Sequence, residues 1–385
     1  MPTAATTVPT AGGTAQTTST AQGQNQAAAA VVPFVRASQL HRESAGVDVS
    51  KLVTAADQDM GVFPIPAYGY LRSLVLVVTA TGGAGAAVTT AEDGPFSAVK
   101  NLLLQEPNGA TIVQYNSGYD CYLANKYGGY NYANDPKASP VYSAVAAATG
   151  NFQFLLRIPV EINLRDGLGS LPNQNSAAQF QLRVTLAAAA TIYGGTVPAT
   201  LPTVRLRVYA EEWDQPELST DGAANQTTPP AMNTTQYWSI QQYAVNAGAL
   251  NVRLTRMGNY LRNLIFVFRA ATRAAGAANW PDPSTIYWDT RPLDLVSLAN
   301  FQQQMFERYG YGSGGIANEA PNGLDNGVFA YDFTHEFDGR AGHENRDLWL
   351  PTIGSTRLEI GGTWGAAGTL YVLTNDVSVA GNVFL

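Results

Sequence analysis

The stretch "GYLRSLVLVV" at residues 69–78 returns 190 residues later as "NYLRNLIFVF" at residues 259–268. Tyr, Leu, Arg, Leu and one Val recur at the same steps, and the other positions exchange like for like apart from the opening Gly and Asn. An apolar run of this length between turn residues reads as a β-strand. Writing one strand twice, so far apart, points to two copies of one unit. A second echo follows in the same order. Arg165-Asp166 matches Arg346-Asp347, Leu171-Pro172 matches Leu350-Pro351, and Leu182 matches Leu358. A last strand closes each half, "VRLRVYAEE" in the first and "TLYVLTNDV" in the second.

Between the echoes the chain is a series of short apolar bursts cut by Gly, Pro and Asn. Strands are expected at 63–66, 70–80, 99–106, 110–115, 152–162, 178–188 and 203–213. The turn Glu106-Pro107-Asn108-Gly109 separates two of them, since Pro presets φ and Asn-Gly tolerates positive φ. "GYDCYLANKYGG" reads as a short helix stopped by Gly128 and Gly129. Residues 214–235 are Pro-, Thr-, Asn- and Gly-rich without periodicity, which marks a linker. The pattern then restarts, with strands in "QYWSIQQYAV", "LNVRLTRM", "YLRNLIFVFRA", "GVFAYDFTHEF", "STRLEIGGTW" and "GTLYVLTNDV". A helix is expected over 294–310, capped by Asp294 and Gly310, with Leu295, Leu298, Met305, Phe306 and Tyr309 on one face. The expected division is a low-complexity arm at 1–45, a first unit at 46–213, a linker at 214–235 and a second unit at 236–385. Residues 1–35 hold no Asp, Glu, Lys or Arg; they read as a floppy tail or as an arm that orders against neighbouring subunits.

Charged residues make up 13% of the 385, about half the usual ~25% of soluble domains. Arg outnumbers Lys 18 to four. Interfaces are depleted in Lys, Glu and Asp and keep Arg and aromatics, so the composition fits a surface covered by partners. A GC-rich genome gives the same Arg bias. A net charge of −7 without a basic run argues against direct nucleic-acid binding. Cys121 stands alone, which precludes an intrachain disulfide. Neither a secretory leader nor a membrane-spanning run is visible, so the chain reads as soluble and made in the cytoplasm.

Chemistry is sparse. His335, Glu336, Asp338, His343, Glu344 and Asp347 form the most polar cluster, but their spacing matches neither H-E-x-x-H nor a calcium loop. Glu211, Glu212 and Asp214 could offer paired carboxylates, although acid and nucleophile usually come from separate elements. Glycines at 309–327 neither follow a strand nor open a helix, so they read as a surface loop. Tyrosines crowd "NKYGGYNYAND", as they do in sugar sites and in protein interfaces. No catalytic, cofactor or metal residue is assigned.

The order "GYLRSLVLVVTATGG", "DGPFSAVKNLLLQEPNGATIVQYNSGYDCYLAN", "VYAEEWDQPEL", "YLRNLIFVF" and "NGVFAYDF" resembles the double jelly-roll major capsid proteins of tectiviruses, tailless bacterial viruses with an internal membrane. The likeness covers most of residues 50–385; the Ala/Thr-rich arm and the Ala-rich loops depart from it. It implies two tandem eight-stranded jelly-roll barrels, all-β, with short helices in loops and an extended N-terminal arm. It implies a homotrimer forming a pseudo-hexagonal tile of an icosahedral shell, with strands upright, loops outside and termini facing a membrane. The implied partners are sister trimers, vertex or minor capsid proteins and the viral membrane, and the place is the virion capsid. No cofactor is implied. Two other readings stand beside it: a secreted double-jelly-roll enzyme resembling peptide N-glycanases, and a carbohydrate-binding spike or vertex protein.

Overall fold

The computed structural model describes residues 31–378 except 86, 131–133, 164, 218–224, 231–233, 313–319 and 334–347; the side chain of residue 294 also lies outside it. The first unit contains β1 (Leu40–Leu52), β2 (Gln58–Pro64), β3 (Tyr70–Thr81), β4 (Val99–Gln105), β5 (Thr111–Tyr115), β6 (Phe152–Pro159), β7 (Leu171–Pro172), β8 (Gln181–Leu186) and β9 (Thr203–Trp213). The second contains β10 (Thr235–Val245), β11 (Gly248–Arg253), β12 (Tyr260–Arg269), β13 (Ser284–Trp288), β14 (Arg291–Val296), β15 (Val328–Asp332), β16 (Leu350–Pro351), β17 (Leu358–Trp364) and β18 (Gly368–Ser378). Helices α1 (Phe34–Ala37), α2 (Gly118–Tyr127), α3 (Ala189–Ile192), α4 (Arg273–Asn279) and α5 (Leu298–Tyr309) sit in the connections.

The two halves have one topology. In the first, the sheets run β1-β9-β3-β6 and β2-β8-β4-β5; in the second, β10-β18-β12-β15 and β11-β17-β13-β14. Each is a jelly roll, two four-stranded sheets facing one another around a shared core. The halves meet where β5 and β10 pair in parallel at Val113 and Trp238, so one sheet of each barrel joins into a nine-stranded whole that includes β16.

The repeat holds at single-residue resolution. Tyr70 pairs with Pro172 and Leu71 with Leu171, just as Tyr260 pairs with Pro351 and Leu261 with Leu350. The ladder of β3 on β9 slips between Leu71 and Ser73, and that of β12 on β18 slips between Leu261 and Asn263. The skipped residue is the Arg of each "YLR". A bulge of this kind re-aims a side chain, and both Arg72 and Arg262 are buried. β3 and β12 read as continuous apolar runs because almost every residue in them is covered. Leu74, Leu76, Val78, Phe154, Leu206 and Val208 fill the first barrel; Leu264, Phe266, Phe268, Ile360, Trp364 and Val372 fill the second. Burying each such side chain contributes roughly 1.5–3 kcal/mol.

Three expectations need correcting. Part of the segment assigned to the arm packs into the first unit: Phe34 lies edge-on against Tyr70 and Trp213, and β1 starts at Leu40, opposite Trp213. β1 escaped notice because it is an edge strand with most of its side chains in solvent, so it carries little apolar pattern. Helix α5 starts at Leu298, capped by the Ser297 hydroxyl, which accepts the Asn300 N–H at 3.3 Å. Asp294 and Leu295 belong instead to the hairpin β13–β14. At its other end the helix does stop at Gly310, in the left-handed region at φ 68°. Phe306 points outward, and Phe301, Met305 and Tyr309 make the buried face.

Candidate functional site: the seam between the barrels and its uncovered counterpart

Helix α2 follows β5, and its counterpart α5 follows β14 at the same place in the second barrel. Ser117 and Asp120 form a capping box that starts α2: Asp120 Oδ2 accepts the N–H groups of Ser117 at 2.9 Å and Asn116 at 3.1 Å. Burial pushes the Asp120 carboxyl up to about 7, helped by nearby Asp93 and opposed by those same N–H groups. All ten residues of α2 are buried, because barrel one lies beneath the helix and connections of barrel two lie over it.

Three polar networks tie the barrels together across α2 and its flanks. In the first, Lys126 Nζ lies 2.7 Å from Asp325 Oδ2 and 2.9 Å from Asp135 Oδ2, and donates to Gly323 O at 2.7 Å. Tyr122, Tyr127 and Tyr311 wall it in, and the Tyr127 hydroxyl donates to Asp325 at 2.9 Å. Burial alone would raise the Asp325 carboxyl, but Lys126 and Lys137 hold it far below the usual carboxylate range. In the second, fully buried Arg273 donates through Nε to Asp93 at 2.7 Å, and Arg269 through Nη2 to Asp93 at 2.6 Å. Glu92 accepts the Arg273 and Ala274 N–H groups and so caps α4 from the other barrel. In the third, Arg262 donates to Tyr130 Oη at 3.0 Å and to Gly128 O at 3.3 Å; Tyr130 donates to Gln236 at 2.7 Å, and Gln236 donates to Glu161 O at 2.8 Å. Satisfied networks of this kind fix one arrangement of their parts, because each broken member leaves a buried group without its partner.

Among the described residues no second barrel covers the counterpart face in barrel two. β14 is the last strand of its sheet, and Leu293, Leu295 and Phe306 are 38%, 65% and 54% exposed. Beside them lies a cavity of about 320 Å³ lined by Leu293, Met305, Arg308, Tyr331, Asp332 and Phe333. Arg308 Nη1 holds Asp332 Oδ2 at 2.6 Å at its rim. Exposed apolar side chains grouped beside an unpaired strand are the kind of surface that other chains cover.

The residues weighed from sequence fall out as follows. His335, Glu336, Asp338, His343, Glu344 and Asp347 lie outside the described residues. Glu211 and Glu212 have separate surroundings, as neighbours on a strand point to opposite faces. Glu211 accepts from Ser73 at 2.8 Å and is paired with Arg157 and Arg42; burial would raise it, but the Arg157 guanidinium above all holds it down to about 2. Glu212 accepts from Asn173 at 3.0 Å, and burial pushes it up to about 7. Asp214 accepts from the Tyr68 hydroxyl at 2.5 Å. Nothing brings the first two together around one bond. Of the tyrosine cluster, Tyr127 and Tyr130 are buried in the seam, and from the glycine-rich loop Tyr311 and Asp325 join them there. The sequence reading passed over Lys126, Asp325, Arg262 and Arg273. Two of only four lysines falling within 12 residues, at 126 and 137, was the available signal. Among the described residues no group of three or more His, Cys, Asp or Glu is placed to hold a metal, and no helix is long and apolar enough to cross a membrane.

No family model matches the sequence, and no curated protein matches it. Solved structures do match. The major capsid protein of Sulfolobus turreted icosahedral virus aligns over 89% of this chain and 97% of its own, with a TM-score of 0.62 at 12% identity. The PBCV-1 virus capsid aligns over 88% of this chain and 93% of its own, with a TM-score of 0.53 at 12% identity. The major capsid protein of bacteriophage PM2 aligns over 89% of this chain and 99% of its own, with a TM-score of 0.51 at 13% identity. The chain therefore has the double jelly-roll fold of major capsid proteins of icosahedral viruses.

Proposed function

We propose that the protein is a viral major capsid protein whose work is to assemble with copies of itself. One observation carries this reading: the α2–β5 face of barrel one is covered by barrel two, while the equivalent α5–β14 face is bare. The strand that covers β5 is β10, and its counterpart β1 is likewise the free end of its sheet. The internal seam is thus a template for an external one, in which β14 and α5 of one copy meet β1 of the next. Such a head-to-tail contact closes into a ring when the rotation per step allows it. Six like barrels from three chains make a homotrimeric, pseudo-hexagonal tile. Burial of apolar surface drives it at about 25 cal/mol per Å², over an interface of several thousand Å² in total, as obligate assemblies have.

In this reading the chain is structural rather than catalytic, and it acts in the virion shell after synthesis in the host cytoplasm. Sister trimers, vertex or minor capsid proteins and an internal membrane are its partners. Light scattering on the size-exclusion peak tests the core of the proposal. A trimer that falls apart to folded monomers on Leu295→Asp or Phe306→Asp substitution is the expected result. A wild-type protein that stays monomeric at 40.9 kDa at all concentrations overturns it.

A further inference from the structure

The lysine at the heart of the seam is placed for covalent chemistry. Lys126 sits on α2 of barrel one and Asp325 on the approach to β15 of barrel two, 199 residues apart, yet Nζ and Oδ2 are 2.7 Å from one another. Both side chains are almost wholly enclosed, at 1% and 0% exposure. A second enclosed carboxylate, Asp135, stands 2.9 Å from the same nitrogen. Rings of Tyr122, Tyr127 and Tyr311 lie about the ammonium, with centroids at 5.6, 5.5 and 4.8 Å. The Tyr122 hydroxyl donates to Asp325 Oδ1 at 3.1 Å and that of Tyr127 donates to Oδ2 at 2.9 Å.

We infer that Lys126 and Asp325 condense to an isopeptide bond that staples the two barrels together. The step balances with no outside reagent. The Lys126 ammonium carries three protons; one passes through Asp135 to Asp325 Oδ2, leaving a neutral amine that attacks Cγ of the now neutral Asp325 carboxyl. A C–N bond forms and the Cγ–Oδ2 bond breaks. The departing oxygen takes two protons, the one relayed by Asp135 and a second from the attacking nitrogen, and leaves as water. The amide keeps the third proton. The two tyrosine hydroxyls stabilise the charge that develops on the Asp325 oxygens during attack, and Asp135 acts as proton carrier.

Three physical terms favour the step. The reacting groups are held in contact by two folded barrels, which replaces a bimolecular encounter. Condensation removes one positive and one negative charge from a dry site, relieving the desolvation that a buried ion pair carries. The product also finds its hydrogen bonds already in place: the amide N–H faces Gly323 O, to which Lys126 donates at 2.7 Å, and the remaining Asp325 oxygen faces the Tyr122 hydroxyl. Lys137 and Asp135 then remain as one charge of each sign. Against these stands the stability of the ion pair itself: burial disfavours both charges, but Asp325 and Asp135 keep Lys126 protonated and Lys126 and Lys137 keep Asp325 ionised, so the reactive pair of neutral amine and neutral acid is the minor form. Slow, single-turnover conversion of the folded protein is the consequence.

The test is the intact mass of the denatured full-length chain, followed by peptide mapping. The expected result is a native protein that becomes lighter by one water on standing, with a branched peptide joining the Lys126 and Asp325 segments. Lys126→Arg, which keeps the charge but cannot form this bond, is expected at its own full sequence mass. Asp135→Ala is expected to slow the loss about a hundredfold. Unmodified, linear Lys126 and Asp325 peptides from both fresh and aged wild-type protein overturn the inference. So does a water loss confined to one linear peptide, the mark of a cyclic imide at Asp325. The wild-type measurement decides alone if a variant fails to fold, and it is independent of whether the protein forms trimers.

Discussion

Helices α2 and α5 occupy the same position in twin barrels, start from a serine cap and stop at a glycine, yet one is wholly buried and the other exposes a phenylalanine. The difference lies in what surrounds them. α2 has a barrel on each side; α5 has one. The two sequences match this difference. α2 carries tyrosines and a lysine whose partners lie across the seam, and a cysteine and an asparagine that bond the Arg157 carbonyl of β6 beneath it, whereas α5 carries three glutamines and a glutamate over a narrow apolar stripe. Where duplication makes two equal faces and covers only one, the bare face is the place to look for the next copy of the chain.

That comparison can be broken at several points. The largest effect is expected from Lys126→Ala, which leaves Asp135 and Asp325 enclosed without their main counter-charge; denaturant titration against freshly made wild type, before Lys126 and Asp325 condense, should show a loss of roughly 3–5 kcal/mol. Next come the two bulge arginines. Arg72→Ala strands Glu161, which Arg72 holds at 2.5 Å inside barrel one, and should cost about 3 kcal/mol. Arg262→Ala removes bonds to Tyr130 and Gly128 across the seam and should cost about 1–3 kcal/mol. Hydrogen exchange should separate them: faster exchange in β6 and β9 for the first, and at the end of α2 together with β12 and β18 for the second. Equal patterns would mean that the twin arginines had not diverged in role.

A smaller effect tests the caps. The third residue of α2 is Asp120 and that of α5 is Asn300, so Asp120→Asn makes the first cap resemble the second. The folded Asp120 carboxyl is raised from 3.8 to about 7, chiefly by burial. The folded protein therefore binds the proton more tightly, and wild-type stability falls as the pH climbs from about 4 to about 7. Melting curves of the variant should lack this decline and overtake the wild type above pH 7 by roughly 1–3 kcal/mol. The smallest effect on stability, within about 0.5 kcal/mol, is expected for Leu295→Ser on the bare face. Its monomer should melt like the wild type while trimer formation is lost.

The sequence made the twin architecture legible because two things survived duplication: the both-faces-buried strand with its bulged arginine, and the Leu-Pro pair that docks on it. Both are constrained by backbone geometry rather than by chemistry. β1 left little trace, since an edge strand with charged side chains outward has no apolar alternation to detect. The hairpin β13–β14 was masked because its apolar residues run directly into those of α5, and the true cap, Ser297, lies three residues after the aspartate that looked like one. The seam was invisible for another reason. Its members come from residues 92–93, 126–137, 161, 236, 262–273 and 325, and no local pattern announces contacts made across 75 to 199 positions. Tyrosine crowding gave the hint of an interface, but not that the interface is internal.

The parallel pairing of β5 with β10 gives the molecule a direction. Both barrels run the same way along the strands, so β1 enters, β9 crosses to β10, and β18 ends, all at one pole. The connections at 82–98, 116–151, 270–283 and 297–327 leave from the opposite pole. Those connections carry Asp93, Lys126, Asp135, Arg273 and Asp325, so the two barrels are stitched together by loops that start from one pole, and a change in either barrel's loops there must keep the other's partners in place.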